Sequence, residues 1–311
     1  IILFELSEYN LFNIERECLA IKDSKNLDTE IIPILGDIRD SSNLEHVFQK
    51  FSIDQIYHAA AYKHVPIVEN ENNISKAAEN NILGTYNLAN SAVKHGVHSF
   101  VMISTDKAVR PTNIMGATKR FAEIIIQSIN SESSNTKFSM VRFGNVINSS
   151  GSVIPLFIDQ ISRGGPITVT HKDVMRYFMT IPEASNLVLQ AGEMSSGGEV
   201  FILDMGEQVK IFDLARKLIH LSGRNHADGD EVNGIEIVEV GLRPGEKMYE
   251  ELLISGSELK TENPKIYKAT ESFIEPKILK PLLAELKESI VSFDNKKILT
   301  LLSQHVEGFN R

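Results

Sequence analysis

Short apolar runs alternate with amphipathic stretches through the first half of the chain, and few folds accept that rhythm. The runs Ile1–Leu6, Glu30–Leu35, Gln55–His58, Phe100–Ser104 and Phe138–Phe143 read as strands. Helical patterns lie near Tyr9–Ile21, Asn43–Phe51, Ile74–His95 and Thr118–Ile129. Strand, helix and strand in succession imply crossover connections and a parallel sheet. The strand runs are continuously apolar rather than alternating, as expected when helices cover both faces. The expected fold class is therefore α/β, with a doubly wound parallel sheet.

The pattern loosens after about residue 145. Glycine and proline gather at Gly151, Gly164-Gly165-Pro166, Gly197-Gly198 and Arg243-Pro244-Gly245, and strands shorten to Ile167–Thr170 and Val200–Leu203. The division we expect is 1–150 for a dinucleotide-binding domain and 151–311 mainly for substrate. Residues 182–205 should return to the first domain. Pro276–Val306 reads as two amphipathic helices.

The 311 residues carry a net charge of −9, which argues against a nucleic-acid partner. The single cysteine, Cys18, forms no internal disulfide and points to a reducing, cytoplasmic setting. The nine histidines show no metal-ligand spacing, so no metal is expected. Ile1-Ile2-Leu3-Phe4 reads as the interior of a strand from its first residue. We therefore expect something to precede it.

In a doubly wound sheet the ligand lies at the carboxyl ends of the strands. Glu5 ends the first strand, where a carboxylate can accept hydrogen bonds from a ribose diol; the alternative is a solvated surface glutamate. After the next strand, Asp37 can reach an adenine amino group while Ile38 covers the ring. After the third, Ala59, Ala60 and Ala61 let a cofactor approach the backbone, unless they serve helix packing alone. No G-x-G-x-x-G run occurs. Its natural place is just before residue 1, at the missing start of a Rossmann-like domain.

The chemistry-bearing stretch is Ser104-Thr105-Asp106-Lys107, followed by Met115-Gly116-Ala117-Thr118-Lys119. Met115 and Lys119 are four apart, on one face of a helix. Asp106 and Lys107 sit in a loop aimed at the same spot. A lysine acting as base needs its pKa lowered from about 10.4 toward 7–8, and we expect Lys119 and a cationic cofactor ring to do this. An aspartate acting as acid must be held protonated, which burial favours. The alternative for the pair is a loop salt bridge.

These residues resemble the extended short-chain dehydrogenase/reductase superfamily, and within it the polysaccharide-biosynthesis UDP-N-acetylglucosamine 4,6-dehydratases. The matching stretches are His58–Pro66, Asn80–Thr85, Ser104–Arg120, Arg142–Val146, Arg176–Ala184 and Gly241–Lys247. Met115 stands where the superfamily places a tyrosine, as in the methionine-containing branch. Methionine moves no proton.

The resemblance implies bound NAD, or NADP, recycled within each turnover, with a UDP-sugar as substrate. Hydride leaves C4 of the sugar, Lys107 removes the C5 proton, Asp106 protonates the departing C6 hydroxyl, and hydride returns to C6. Thr105 would hold a sugar hydroxyl, and Lys119, Asn81 and Phe143 would contact the cofactor. Lys63 would hold the sugar or its phosphate, and Asn145 the diphosphate. Val153, Pro155, Thr168 and Thr170 would flank the uridine. Arg176 and Arg243 are candidates for the phosphates, since a guanidinium binds phosphate bidentately. Glu246 could take a ribose hydroxyl.

The resemblance further implies a homo-oligomer and, for some relatives, an amino-terminal membrane region. The chain would then be the cytoplasmic domain of an inner-membrane protein. A 4-epimerase, a C5-inverting dehydratase and a non-catalytic nucleotide-binding domain are the competing readings.

Overall fold

The computed structural model describes residues 1–133, 135–147, 149, 151–227, 234–252 and 258–311. It opens with β1 (Ile2–Glu5), α1 (Glu8–Ser24), β2 (Ile32–Leu35), α2 (Ser41–Lys50) and β3 (Gln55–His58). A short helix α3 (Val65–Val68) leads to α4 (Ile74–Ala78), a π-helical segment Glu79–Gly84 and α5 (Thr85–Lys94). The single helix expected over 74–95 is thus interrupted by wider turns in its middle. Such turns occur often at functional sites.

The chain continues through β4 (Ser99–Ile103), a 3₁₀ turn Asp106–Ala108, α6 (Ile114–Glu132), β5 (Lys137–Arg142) and β6 (Asn145–Val146). The second half adds α7 (Val153–Ser162), β7 (Ile167–Val169), β8 (Met175–Arg176), β9 (Phe178–Met179), α8 (Ile181–Glu193) and β10 (Val200–Leu203). Then come β11 (Val209–Lys210), α9 (Ile211–Leu221), β12 (Asn225–His226), β13 (Gly234–Ile235) and β14 (Ile237–Glu239). The last elements are β15 (Leu259–Lys260), β16 (Ile266–Ala269), α10 (Pro276–Val291) and α11 (Asn295–His305).

The central sheet runs β15-β16-β10-β5-β4-β3. Pairing is parallel from β3 through β10, and β16 and β15 are antiparallel additions. β1 and β2 form a separate parallel pair. β4 and β5 are buried almost throughout, which explains why their sequences do not alternate. Phe100, Met102, Phe138 and Met140 fill one face of the sheet, and Val101, Val141, Phe201 and Leu203 the other.

The return of the second half to the sheet is larger than the expected 182–205. β16 pairs with β10, and α10 and α11 pack on α4 and α6. Every residue of α6 from Ile114 to Ser128 is buried. That burial takes in charge: Arg142 Nη2 lies 2.6 Å from Glu123 Oε2, Arg142 Nη1 2.5 Å from Glu271 Oε1, and Arg120 Nη1 3.1 Å from Glu123. Burial pushes the Glu123 carboxyl up, but Arg142 and Arg120 hold it well below the ordinary carboxylate range. Buried charges are tolerated where they are paired in this way. Among the described residues no helix is long and apolar enough to cross a membrane.

Candidate active site

A cleft of about 550 Å³ opens at the carboxyl ends of β3, β4 and β5, where the topology places a ligand. Its wall on the β3 side is Ala59, Ala61 and Lys63; on the β4 side it is Ile103, Ser104, Thr105 and Lys107. α6 contributes Met115 and Lys119. Phe143 and Asn145 follow β5, and the second half supplies Val153, Arg176, Arg243 and Glu246.

The sequence folds this way locally for identifiable reasons. Thr105 caps the 3₁₀ turn by accepting from the Lys107 N–H at 3.3 Å. Asn113 caps α6, its Oδ1 accepting from the Gly116 N–H at 2.8 Å. The helix therefore begins at Ile114, four residues before the apolar pattern suggested, and carries Met115 in its first turn. Gly116 allows α6 to lie against the turn: a Cβ there would be 2.1 Å from the Lys107 carbonyl oxygen. Gly245, at φ +76°, lies against Asn113, and its carbonyl accepts from Thr112 Oγ1 at 2.7 Å. Lys247 Nζ donates to the Val109 carbonyl at 2.8 Å. The Arg-Pro-Gly-Glu-Lys loop is thereby tied to the 3₁₀ turn and the start of α6.

Lys107 Nζ donates to Asp106 Oδ1 at 2.9 Å and to Asn145 Oδ1 at 3.4 Å, and lies 3.6 Å from Glu250 Oε1. Asp106 is 1 % exposed and sits beneath the cleft wall. Its Oδ1 also accepts from Thr105 Oγ1 at 2.8 Å, and its Oδ2 is buried without a hydrogen-bond partner among the described residues. The expected depression of the Lys107 pKa is corrected. Burial does push it down, but the carboxylates of Asp106 and Glu250 outweigh burial and raise it. Lys119 is engaged elsewhere, donating to the Ile103 carbonyl at 2.7 Å. Burial lowers the Lys119 ammonium to about 8, with Glu123 opposing.

Other candidates are engaged in bonds and packing within the protein. The Asn81 amide accepts from the Tyr62 N–H at 2.7 Å and donates to the Tyr62 carbonyl and Thr118 Oγ1. It pins the loop after β3 to α6, and it is not on the cleft wall. Ile38 is buried under Gly84, whose Cβ would meet it at 2.7 Å, so it packs in the core rather than facing the cleft. Asp37 is held by Arg39, which lowers its pKa, and Glu5 Oε1 accepts from the Ser7 N–H at 2.9 Å. Ala60, Pro155, Thr168 and Thr170 also lie off the wall. Thr168 bonds Gln160, while Thr170 donates to Glu246 Oε1 at 2.9 Å. Arg176 is buried, paired with Glu246 at 3.1 Å and 3.7 Å from Glu250.

Glu250, on the wall, was not foreseen. Glu250 is one of two adjacent glutamates and has no local signal of its own.

The comparisons with known proteins settle the kinship. A family model described as "Polysaccharide biosynthesis protein" matches residues 1–271. The chain belongs to that family. A capsular polysaccharide biosynthesis protein, CapD of Staphylococcus aureus, is 53 % identical over 253 residues, covering 81 % of this chain and 40 % of CapD. The chain thus spans less than half the length of that relative. A UDP-N-acetylglucosamine 4,6-dehydratase (inverting) of Campylobacter jejuni is 34 % identical over 225 residues, covering 71 % of this chain and 62 % of the relative. The X-ray structure of Pen from Bacillus thuringiensis shares the fold at a TM-score of 0.75 and 33 % identity, covering 92 % of this chain and 89 % of Pen. More distant structures with this fold, at 17 % and 22 % identity, include an epimerase and a dTDP-glucose 4,6-dehydratase with NAD bound. This polysaccharide biosynthesis family member therefore has the Rossmann-like fold expected of a short-chain dehydrogenase/reductase.

Proposed function

We propose that this protein is an NAD-dependent nucleotide-sugar 4,6-dehydratase acting on UDP-N-acetylglucosamine. The observation that carries the reading is the acid–base pair: Lys107, on the cleft wall beside Thr105 and Lys119, shares a hydrogen bond of 2.9 Å with Asp106 just beneath it. An epimerase exchanges a proton only at the C4 hydroxyl and would leave Lys107 without a task. The named Campylobacter relative supports the substrate, and the NAD complexes of the same fold support the cofactor.

The residues present fit a nicotinamide cofactor. Ala59 and Ala61 keep the β3 side of the cleft shallow, and Lys119 uses one of its three donors on Ile103, leaving two for ribose hydroxyls. Glu5 lies at the end of β1 for the adenosine ribose, which favours NAD over NADP. Bound NAD supplies the oxidation at C4 and the matching reduction at C6.

The protein's own groups then handle the protons. The Thr105 hydroxyl takes the C4 hydroxyl proton and passes its own to Asp106 Oδ1 along their 2.8 Å hydrogen bond. That relay replaces the tyrosine whose position Met115 occupies. Lys107, once it has given its ammonium proton to solvent, removes the C5 proton, made acidic by the C4 ketone. Asp106 returns its proton through the Thr105 hydroxyl to the departing C6 hydroxyl, which leaves as water. Lys107 returns its proton to C5, so each group ends as it began. Arg176 and Arg243 hold the UDP diphosphate, with Asn145 and Lys63 beside it.

Incubating the protein with UDP-N-acetylglucosamine and NAD and following the sugar by NMR tests this reading. A C6 methyl with a C4 ketone is the expected product. A C4 epimer alone would support the epimerase, and tight nucleotide binding with unchanged substrate would support a non-catalytic domain.

A further inference from the structure

Glu250 stands at the junction of two sites. Its Oε1 lies 3.6 Å from Lys107 Nζ and 3.7 Å from Arg176 Nε. Its side chain is 4 % exposed, and its Oε2 is buried with no hydrogen-bond partner among the described residues. A carboxylate with one oxygen left unbonded is costly to bury, so its charge must be compensated nearby. Lys107 and Arg176 are the cations within 4 Å of it. The residue arrives from the segment after the Arg-Pro-Gly-Glu-Lys loop, which is docked on the catalytic turn through Thr112, Asn113 and Val109.

We propose that Glu250 is the positioning residue of the base: it is the second counter-ion of Lys107, holding the ammonium over the cleft and setting how readily it becomes neutral. This rests on the dehydratase reading, and it supplies what that reading lacks. Once the Thr105 relay has protonated Asp106, that carboxyl no longer holds the charge Lys107 gains with the C5 proton. Glu250 is then the anion that does. Without it, Lys107 would face Arg176 on the same side of the cleft, with Lys119, Lys63 and Arg243 along the wall and, among the described residues there, no unprotonated carboxylate except Glu246. Glu246 itself is bonded to Arg176, Thr170 and the Arg243 N–H. Cationic neighbours of this kind drive a lysine toward its neutral form.

The magnitude follows from Coulomb's law. A unit charge at this separation, in surroundings between water and a protein surface, moves a neighbour's pKa by about one to three units. Glu250→Gln should therefore let Lys107 lose its proton at a pH lower by at least about one unit. Glu250→Asp should keep the titration within a few tenths of a unit of wild type, rescuing the charge.

Competitive acetylation of lysines by acetic anhydride across a pH series, read by mass spectrometry, gives the Lys107 midpoint with no substrate present. The 21 % exposure of its side chain makes Lys107 reachable. Folding is checked by circular dichroism and by retained NAD binding. A downward shift in Glu250→Gln with rescue in Glu250→Asp supports the role. An unchanged Lys107 midpoint in a folded Glu250→Gln protein overturns it. In turnover, the acidic limb of the kcat–pH profile should move in the same direction with KM within about twofold; a loss confined to KM would also overturn it. If wild type forms no 4-keto-6-deoxy sugar while the labelling shift appears, the dehydratase reading fails and the pairing stands.

Discussion

Gly116→Ala adds one methyl group where α6 meets the catalytic turn. The new Cβ would lie 2.1 Å from the Lys107 carbonyl oxygen, 3.0 Å from its carbonyl carbon and 3.1 Å from Pro111 Cβ. The nearest atoms are backbone, so no side chain can swing aside. α6 is buried on all sides from Ile114 to Ser128 and has no room to retreat. The turn must therefore open by about 1 Å, carrying Asp106 and Lys107 with it. Overpacking of this kind costs about 1–3 kcal/mol of stability. A 1 Å misplacement of a reacting group costs about 100-fold in rate. The expected result is kcat down by about that factor, with the fold intact. NAD binding should change little, because Ala59, Ala61 and Lys119 lie away from the clash. Turnover by NMR and thermal melts of the same preparation measure both effects. A folded Gly116→Ala protein with wild-type kcat would refute the claim that this contact positions the pair.

Two further outcomes follow from the buried charges. Lys119 has its pKa lowered to about 8 by burial, so folding opposes its protonated form. Wild type should therefore gain stability relative to Lys119→Met as pH rises from about 8 to the unfolded value near 10.5, and should show no such gain below 8. The variant should be at least as stable at pH 7 but bind NAD more weakly; a pH-independent difference in melting temperature would contradict this. Glu123→Gln leaves Arg142 and Arg120 short of a counter-charge in a site with no water access, and should cost about 3–5 kcal/mol in denaturant unfolding. A loss below 1 kcal/mol would mean that Glu271 alone suffices.

Most of the fold was readable because the sheet strands are short apolar runs with clear ends. The expected strands at 55–58 and 200–203 match the structure to the residue. β15 and β16 were missed because Leu259–Lys260 and Ile266–Ala269 carry lysine and tyrosine and lack alternation. β16 is held by antiparallel pairing to β10 and β15 by antiparallel pairing to β16, which only the tertiary fold supplies.

At the site, Asp106, Lys107, Met115 and Lys119 were readable from spacing, because the turn and the first turns of α6 are close in sequence. The charge environment was not. The Lys107 ammonium is favoured by Asp106 beside it and also by Glu250, 143 positions away in sequence and brought in by the loop docked on Asn113. Asn81 likewise looked available for a cofactor, since nothing local reveals that Tyr62 and Thr118 claim both ends of its amide.

Turnover in D2O by wild type and Lys107→Ala tests the central claim most directly, because it isolates the C5 proton. Wild type should yield a 4-keto-6-deoxy sugar carrying solvent deuterium at C5, and Lys107→Ala should bind NAD nearly as tightly while forming none. Continued formation of that product by the variant, with C5 still exchanging, would remove Lys107 from the mechanism and contradict the account.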